Sequence, residues 1–522
     1  MARRLRLADL LGALSIVTDF GFALAPQDAM RTCVVSTALG RRLGLTDDDL
    51  RDAFYVPLLM HVGCISMSHD TAALFGDELR VTAAVARTDL ADPTDFARTL
   101  IPHLVDGLDA ATSARLARDV VEVGPDFGKR YDTGSCEVAR STARRIGLPP
   151  STQRALHEIA EFWNGGSAPQ GLARDEIAIA ARVTRVAADA VLFDRIGGVP
   201  SAVAAVRTRA GGVLDPDVVD VFVTAADELL AEVGPDSDDP RERILDVEPG
   251  PVLERDPAEV VAVAAAFGDA ADLKSPWFHG HAAATARHAV RAAGLLGLDA
   301  AAVHRLEVAA LLHDVGRVGI SNAIWEKAGP LTRAEWEQVR LHAYHSERVL
   351  ATSRSLEESA RVAGTHHERD DGSGYHRGCR RVDLPVEARI LAAADVVTAL
   401  SSARPHRPAL DADAAARELR AEAREGRLDP DAVEAVLADA GDAAAGRRAR
   451  ATRAARPAGL TRREVEVLRL VADGSSNADI AERLVISRRT AEHHVQHVYT
   501  KIGASTRVAA AMFALEHDLL ER

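Results

Sequence analysis

The stretches LLHDVGRVGI (Leu311 to Ile320) and THHERDDGSGYH (Thr365 to His376) decide how this chain reads. The first sets an imidazole beside a carboxylate, His313-Asp314, and the second sets two imidazoles side by side, His366-His367. His281 and His342 stand upstream of that second pair and Asp395 follows it. Eleven of the 19 histidines fall between His279 and His406, so the set carries the meaning and not any one ring. Val308, Leu311 and Leu312 precede His313, which places the first pair at the end of a buried helical face. Neutral imidazole and carboxylate suit first-row metals such as Fe, Mn or Zn. A carboxylate bridges two metals about 3.5–4 Å apart while imidazoles complete each shell, and a bridging water there loses a proton and becomes a nucleophile. Such a pair also neutralises an attacked phosphodiester.

Working outward, 522 residues are too many for one core and imply about three or four domains. Aromatics are only 4% while Ala, Leu, Val and Arg dominate, which favours helix over sheet, so the expected fold class is all-α. A net charge of −14 excludes DNA binding by the overall field, and any DNA contact must come from a locally basic patch. The four cysteines, Cys33, Cys64, Cys136 and Cys379, form no C-x-x-C pair. That excludes zinc-ribbon and thioredoxin-type sites and fits a reduced, cytoplasmic setting. The opening MARRLRLADLLGALSIVTDFGFALA imitates a secretion signal, but Asp9 and Asp19 flank its short apolar run, and Leu7, Leu10, Leu11 and Leu14 keep helical spacing. No run of about 18 apolar residues occurs, so no membrane span is expected.

A worn internal duplication runs through the chain. LGLTDDDLRDAFYVPLLMHVGC (Leu43 to Cys64) aligns without a gap on LGLDAAAVHRLEVAALLHDVGR (Leu296 to Arg317), so Met60 falls opposite His313 at an offset of 313 − 60 = 253. GVLDPDVV (Gly212 to Val219) recurs as GRLDPDAV (Gly426 to Val433) at 429 − 215 = 214, which gives the first copy 253 − 214 = 39 more residues in its middle. In the first copy Asp28 replaces His281 and Met60-His61 replaces His313-Asp314. LHE (Leu156 to Glu158) stands where HHE (His366 to Glu368) stands, and NGGSAP (Asn164 to Pro169) where DGSGYH (Asp371 to His376) stands. One histidine and scattered carboxylates cannot hold two metals, so this copy reads as a sensing, packing or dimerising module. GPDSDDPRER (Gly234 to Arg243) and EPGP (Glu248 to Pro251) read as linker. An Ala/Arg-rich stretch, Gly441 to Gly459, carries Arg447, Arg448, Arg450, Arg453 and Arg456 and is either a solvated tether or a phosphate-contacting arm.

The match to a known family spans His281 to Leu410: His281, LLHDVGRVGI, KAGPLTRAEWEQVRLH ending at His342, HHERDDGSGY, ARILAAADVVTAL and RPHR. This copy resembles an HD-GYP domain, a branch of the HD phosphohydrolases. The resemblance implies two divalent metal ions (Fe, Mn or similar) on His281, His313, Asp314, His342, His366, His367 and Asp395. It also implies catalysis at His313, Asp314 and Arg317 and hydrolysis of a cyclic dinucleotide such as cyclic di-GMP. Arg317 stands where the family has a phosphate-facing lysine, and Tyr375, Arg404 and Arg407 match positions that hold substrate. His376 replaces the proline of the naming motif and loosens that loop. Trp277 stands where some members carry a glutamate ligand, and Thr398 replaces an aspartate, so two metals are expected and not three. Arg317 is larger and forked. A sensor that binds nucleotide without cleaving it, and a hydrolase of another nucleotide phosphoester, are the alternatives.

LTRREVEVLRLVADGSSNADIAERLVISRRTAEHHVQHVYTKIG (Leu460 to Gly503) reads as three helices. Thr461 caps the first with Glu464 in a capping box, Gly474 stops it, Asn477 caps the second, and Ser487 caps the third after a turn at Val485-Ile486. That geometry lays the third helix into a major groove. The segment resembles the LuxR/NarL family, which implies a four-helix module binding double-stranded DNA as a homodimer. Ser487, Arg488, Arg489, Thr490, His493, His494, Gln496 and Lys501 are the candidate DNA contacts. Val508, Met512, Phe513 and Leu515 form a fourth helix that pairs subunits or closes the core. The expected organisation is tandem helical HD-type domains, a degenerate one at 1–245 and a metal-bearing one at 246–440, then a linker at 441–457 and the helix-turn-helix module at 458–522.

Overall fold

The computed structural model describes residues 4–234, 240–438 and 457–520, and most of the Ala/Arg-rich stretch lies outside them. The fold is all-α. The one sheet among the described residues pairs Leu5–Arg6 antiparallel with Glu254–Arg255. The chain divides into two compact units, Met1–Asp256 and Pro257–Arg522.

The first unit is built on α1 (Leu7–Gly21), α2 (Asp28–Arg42), α3 (Asp47–Leu59), α4 (Ala110–Arg145) and α5 (Ile179–Arg209). In the second, α6 (Pro257–Asp272), α7 (His281–Leu295), α8 (Ala300–Leu312), α9 (Arg333–Leu350) and α10 (Val386–Leu400) form a bundle. There α11 (Arg462–Ala472), α12 (Asn477–Leu484), α13 (Arg488–Ile502) and α14 (Arg507–Glu516) follow. The unit boundary falls at Asp256 and not at the turn-rich Glu248–Pro251 stretch. Glu248 is not linker: it accepts from Tyr55 Oη at 2.6 Å and from Arg6 Nε at 3.0 Å, and the strand pairing closes the first unit behind it.

The same local devices recur in the two units at the spacing of 253. Thr46 caps α3 and Asp299 caps α8, each through its side-chain oxygen. Gln27 (φ 76°) and Gly280 (φ 77°) both turn left-handed before α2 and α7. Asp19 accepts from the Ala29 N–H at 3.0 Å, as Asp272 does from Ala282 at 2.9 Å. Further on the spacing becomes 207. A β-carbon on Gly63 would land on the Ser135 carbonyl, and one on Gly316 on the His342 carbonyl, which sets Ser135 opposite His342 (342 − 135 = 207). The 3₁₀ turns Arg174–Glu176 and Arg381–Asp383 keep it, as do the starts of α5 and α10.

This corrects one alignment. At 207, Ile159-Ala160-Glu161 and not Leu156–Glu158 stands opposite His366-His367-Glu368. Glu161 and Glu368 then do the same job: Glu161 accepts from the Gln170 N–H at 2.6 Å and Glu368 from Arg377 at 3.0 Å, pinning the loop that follows. The first unit thus carries 253 − 207 = 46 extra residues between Gly63 and Ser135, which include a small core of Ala84, Leu100, Leu104, Leu116 and Val120. The second unit carries 214 − 207 = 7 extra residues between Arg389 and Asp429, where Arg404 and Arg407 pair across a tight turn.

Alanine makes the second bundle tight. Ala286, Ala289 and Ala293 on α7, Ala309 and Ala310 on α8, and Ala392, Ala393 and Ala394 on α10 are all buried. Short side chains bring helix axes close. Side chains of modest reach on α7 and α10 and at the end of α8 therefore meet in one place.

Candidate metal centre and DNA-reading helices

His313 caps the C-terminal end of α8, and Asp314 opens the 3₁₀ turn Val315–Gly319. Gly316 packs that turn onto α9, where its N–H donates to Ser346 Oγ at 2.9 Å, and this brings His342 alongside. His281 begins α7, and Asp395 lies midway along α10. His366 and His367 follow the short helix Glu357–Ala363. Gly374 lets the next loop fold back on them, since a β-carbon there would sit 2.7 Å from the His367 carbonyl.

The structure brings all seven expected ligands together. His281, His313, Asp314 and Asp395 form one group and His342, His366 and His367 another, with the potential donor atoms of each group within 4.8 Å of one another. Asp314 joins the groups. Its Oδ2 lies 3.3 Å from His281 Nε2 and 3.0 Å from His313 Nε2, while its Oδ1 lies 3.3 Å from His342 Nε2 and 3.6 Å from His366 Nε2. Asp395 does the same more loosely, with Oδ1 at 3.1 Å from His281 Nε2 and Oδ2 at 3.8 Å from His367 Nδ1.

Three of the rings are set by backbone carbonyls one turn back. The Nδ1–H groups of His313, His342 and His366 donate to Ala310, Val339 and Ala363 at 2.7, 2.5 and 2.6 Å. That orients each ring with Nε2 pointing inward, the second-layer arrangement that metal-binding histidines use. The inward atoms are orphans: His281 Nε2, His313 Nε2 and Asp314 Oδ1 are buried without a hydrogen-bond partner. Their approaches of 3.0–3.6 Å have the distance but not the direction of hydrogen bonds, because the atoms aim at shared points between them. This donor set fits borderline divalent metals.

Electrostatics agree with a site made for cations. Burial works against the charged forms of Asp314 and Asp395, yet Arg317 and the surrounding imidazoles hold Asp314 well below the usual carboxylate range, and His281 and His313 do the same for Asp395. Burial also pulls on His313, but Asp314 and Asp395 outweigh it and lift the imidazole to about 10. Burial lowers His366 to about 4 and takes His367 well below its ordinary value.

In the C-terminal module Thr461 and Glu464 make the expected capping box on α11. The cap of α12 is Ser476, whose Oγ accepts from the Asp479 N–H; Asn477 is already helical and accepts from Arg507 instead. Ser487 caps α13, and Thr490 hydrogen-bonds back to it at 2.8 Å. Arg488, Arg489, Thr490, His493 and Gln496 lie exposed along α13, with His494 half-buried. Lys501 is engaged elsewhere: its Nζ sits 2.7 Å from Glu464 and 3.2 Å from the Gly459 carbonyl.

Two family models match, "HD domain" over residues 266–432 and "Bacterial regulatory proteins, luxR family" over 458–514. The second unit is an HD domain joined to a LuxR-family helix-turn-helix domain. The chain is 29% identical over 415 residues to 3′3′-cGAMP-specific phosphodiesterase 3 of Vibrio cholerae, covering 78% of this chain and 89% of that protein. A cyclic di-GMP phosphodiesterase of Thermotoga maritima is 39% identical over 150 residues, 28% of this chain and 40% of the relative. The cyclic di-GMP phosphodiesterase response regulator RpfG of Xanthomonas campestris is 43% identical over 145 residues, 27% of this chain and 38% of the relative. The crystal structure of a Vibrio cholerae cyclic GMP-AMP phosphodiesterase (V-cGAP3) superposes with a TM-score of 0.56 at 25% identity, over 84% of this chain and 98% of that one.

Around the HD-domain site the other named residues divide. Arg317 is buried, with Nη2 on Asp314 and with Nε and Nη1 unpartnered. Tyr375 lies over His367 with ring centroids 4.4 Å apart, and burial followed by Asp395 pushes its phenol up to about 12. Arg404 donates to the Trp277 carbonyl. Arg407 is committed to the carbonyls of Ala399, Leu400 and Ser402 at the end of α10 and to Pro408, so it shapes the loop. Thr398 turns its hydroxyl to Ala394, and His376 is exposed with its ring on Tyr344. Phe278, Trp325, Asp272 and Arg340 were not singled out by the sequence. Phe278 and Trp325 flank Arg317, and Arg340 lies over Tyr375 at 5.9 Å. Asp272 is buried near His281 and Arg317, and burial raises it to about 6. Only the WFHGH run (Trp277 to His281) hinted at any of them.

Proposed function

We propose that this chain is a metal-dependent phosphodiesterase that opens a 3′,5′-linked cyclic dinucleotide, with 3′3′-cyclic GMP-AMP preferred over cyclic di-GMP, and that it binds DNA as a dimer through α13. The observation that carries the reading is Asp314: its two oxygens face two separate sets of imidazoles, an arrangement that would suit a pair of cations. His281, His313, His342, His366, His367, Asp314 and Asp395 would hold the ions. Bound there, two divalent metals supply Lewis-acid charge and a deprotonated water.

This chain's own residues do the rest. The carbonyls of Ala310, Val339 and Ala363 hold three imidazoles by Nδ1 with Nε2 aimed inward. Arg317 keeps two nitrogens, Nε and Nη1, free for a phosphate oxygen in a buried position, where the charge is poorly screened. Tyr375 offers its ring and hydroxyl at the edge of the site, and Arg404 offers a second guanidinium. The preference for cyclic GMP-AMP is supported by the relative aligned over both units, whereas the two cyclic di-GMP phosphodiesterases align over 150 and 145 residues. In this reading the first unit is a degenerate HD domain that packs, senses or dimerises.

The test is Mn- or Fe-loaded full chain incubated with 3′3′-cyclic GMP-AMP, cyclic di-GMP, cyclic di-AMP and a nucleoside monophosphate. Linear product that vanishes in His313→Ala and Asp314→Ala supports the reading. Arg317 favours a second reading, a sensor that holds nucleotide uncleaved, because its Nη2 occupies the Asp314 oxygen that metals need. Tight binding without product would establish that one.

A further inference from the structure

Between α6 and α7 the chain makes a short turn, Ser275–Gly280, that touches both halves of the second unit. On its inner side the buried Phe278 ring carries two cations, Arg317 Cζ at 4.0 Å and Arg404 Cζ at 5.0 Å from its centroid. Trp325 closes the corner edge-on, 5.6 Å from Phe278 at 89°. A guanidinium over an aromatic face is held by the ring quadrupole, so one ring sets the separation of two anion-binding forks. The Trp277 carbonyl, next in the turn, accepts from Arg404.

On its outer side the same turn holds the helix-turn-helix module. His279 Nδ1 donates to the Ala472 carbonyl at the end of α11 at 2.6 Å, in a buried contact. Gly474 and Gly280, both left-handed, allow the surfaces to close: a β-carbon on Gly474 would lie 3.3 Å from Pro276, and one on Gly280 3.6 Å from Leu515 of α14. Arg287 and Asp518 pair at the rim at 3.3 Å.

We propose that the Ser275–Gly280 turn positions substrate and docks the DNA module at once. Phe278 spaces Arg317 and Arg404 for the phosphates of a dinucleotide. A bound nucleotide draws Arg404 off the Trp277 carbonyl, and the turn then gives up its hold on the end of α11. The inference rests on the phosphodiesterase reading for its ligand. A charge-assisted bond to phosphate outcompetes one to a neutral carbonyl, and that change of partner is the differential interaction a coupled transition needs. Linkage makes the effect reciprocal. Loosening the docked module tightens nucleotide binding by the factor with which nucleotide loosens the module.

The experiment uses Mn-loaded full chain and a phosphorothioate analogue of 3′3′-cyclic GMP-AMP. Binding is titrated directly, and amide exchange is followed at residues 469–474 and 507–516. Bound analogue is expected to raise exchange there several-fold. His279→Ala should show raised exchange without analogue and bind the analogue several-fold more tightly. Phe278→Leu should raise KM about tenfold with a smaller change in kcat and abolish the exchange response, and Phe278→Tyr should restore both. Phe278→Leu removes a buried ring and risks the fold, so His279→Ala carries the test independently. Analogue that binds while exchange in both segments stays unchanged overturns the coupling alone. Analogue that fails to bind overturns the phosphodiesterase reading and the coupling with it.

Discussion

Metal uptake is expected to expel a proton from His313. Its Nδ1–H is committed to Ala310, and its Nε2 lies 3.0 Å from Asp314 and 3.7 Å from Asp395. Those carboxylates overcome burial and raise the imidazole to about 10, so at neutral pH it carries both protons. A metal needs the Nε2 lone pair, so the proton must leave. His366, at about 4, and His367, well below its ordinary value, are already neutral and release none. One proton displaced per binding event makes affinity rise about tenfold per pH unit below the pKa, or about a hundredfold between pH 6 and pH 8. The assay is calorimetric titration of the metal-stripped full chain with Mn at pH 6, 7 and 8, in buffers of different ionisation enthalpy, which counts protons directly. Affinity that stays flat across this range, with no buffer dependence of the heat, would refute the proton displacement. The same pair stabilises the metal-free fold in the opposite sense. A raised imidazole contributes fully below its ordinary value near 6.5, and the contribution fades as pH climbs through about 10.

Three further outcomes are expected. Gly316→Ala drives a β-carbon into the α9 backbone, 2.5 Å from the Ser346 nitrogen, and overpacking of this kind costs about 1–3 kcal/mol; a lowered Tm together with reduced bound metal checks it, because the displaced helix carries His342. Arg488→Ala combined with Arg489→Ala should weaken operator binding and flatten its salt dependence by about 0.9 in log–log slope for each phosphate that is no longer neutralised. Lys501→Ala should leave salt dependence nearly unchanged and destabilise the helix-turn-helix module, because Lys501 is the partner of Glu464. Burial opposes ionisation of Glu464, but Lys501 and the Thr461 cap hold it at about 2, so their contribution is present above the ordinary 4.5 and is lost as pH falls through about 2; acid melts of wild type and variant should converge there.

The seven positions that gather at the candidate metal centre were legible because their chemistry sits in the letters: adjacent imidazoles, an imidazole–carboxylate pair, and helical spacing around them. The left-handed Gly280 and the close approach at Gly316 assemble the set, and neither is visible without knowing what each glycine touches. Cap assignment failed by one residue at α12, since Ser476 and Asn477 both favour that position and the choice fell to Arg507, which takes the Asn477 side chain. Lys501 reads as a phosphate contact from its place on a recognition helix, and its pairing with Glu464 was not legible because that residue is 37 positions away in sequence. Arg407 reads as a substrate position, and in the structure its guanidinium meets helix-end carbonyls that no sequence pattern announces. The three-residue error in aligning His366-His367 came from matching a single histidine, His157, where Glu161 was the structural counterpart of Glu368.

That corrected alignment decides how much metal the chain should hold. At offsets of 253 and 207, the seven positions in the first unit are Asp28, Met60, His61, Ser135, Ile159, Ala160 and Ala188. Two of these can ligate strongly, and both are otherwise engaged. Asp28 pairs with Arg195, and His61 stacks on Phe22 with ring centroids 4.1 Å apart and its Nδ1 3.9 Å from Cys64 Sγ, near the Arg185 charge. Arg185, one turn before Ala188 on α5, also acts on the half-buried Asp132, which desolvation pushes to about 7. A guanidinium has entered the electrostatics of the place where the second unit gathers five imidazoles and two carboxylates. An added cation would meet that charge with too few donors to repay its lost water. The full chain should therefore bind about two equivalents of Mn or Fe, and Asp314→Ala should remove both without unfolding the first unit. Four equivalents in wild type, or two persisting in Asp314→Ala, would mean that the first unit still holds metal and that the repeat has been misread.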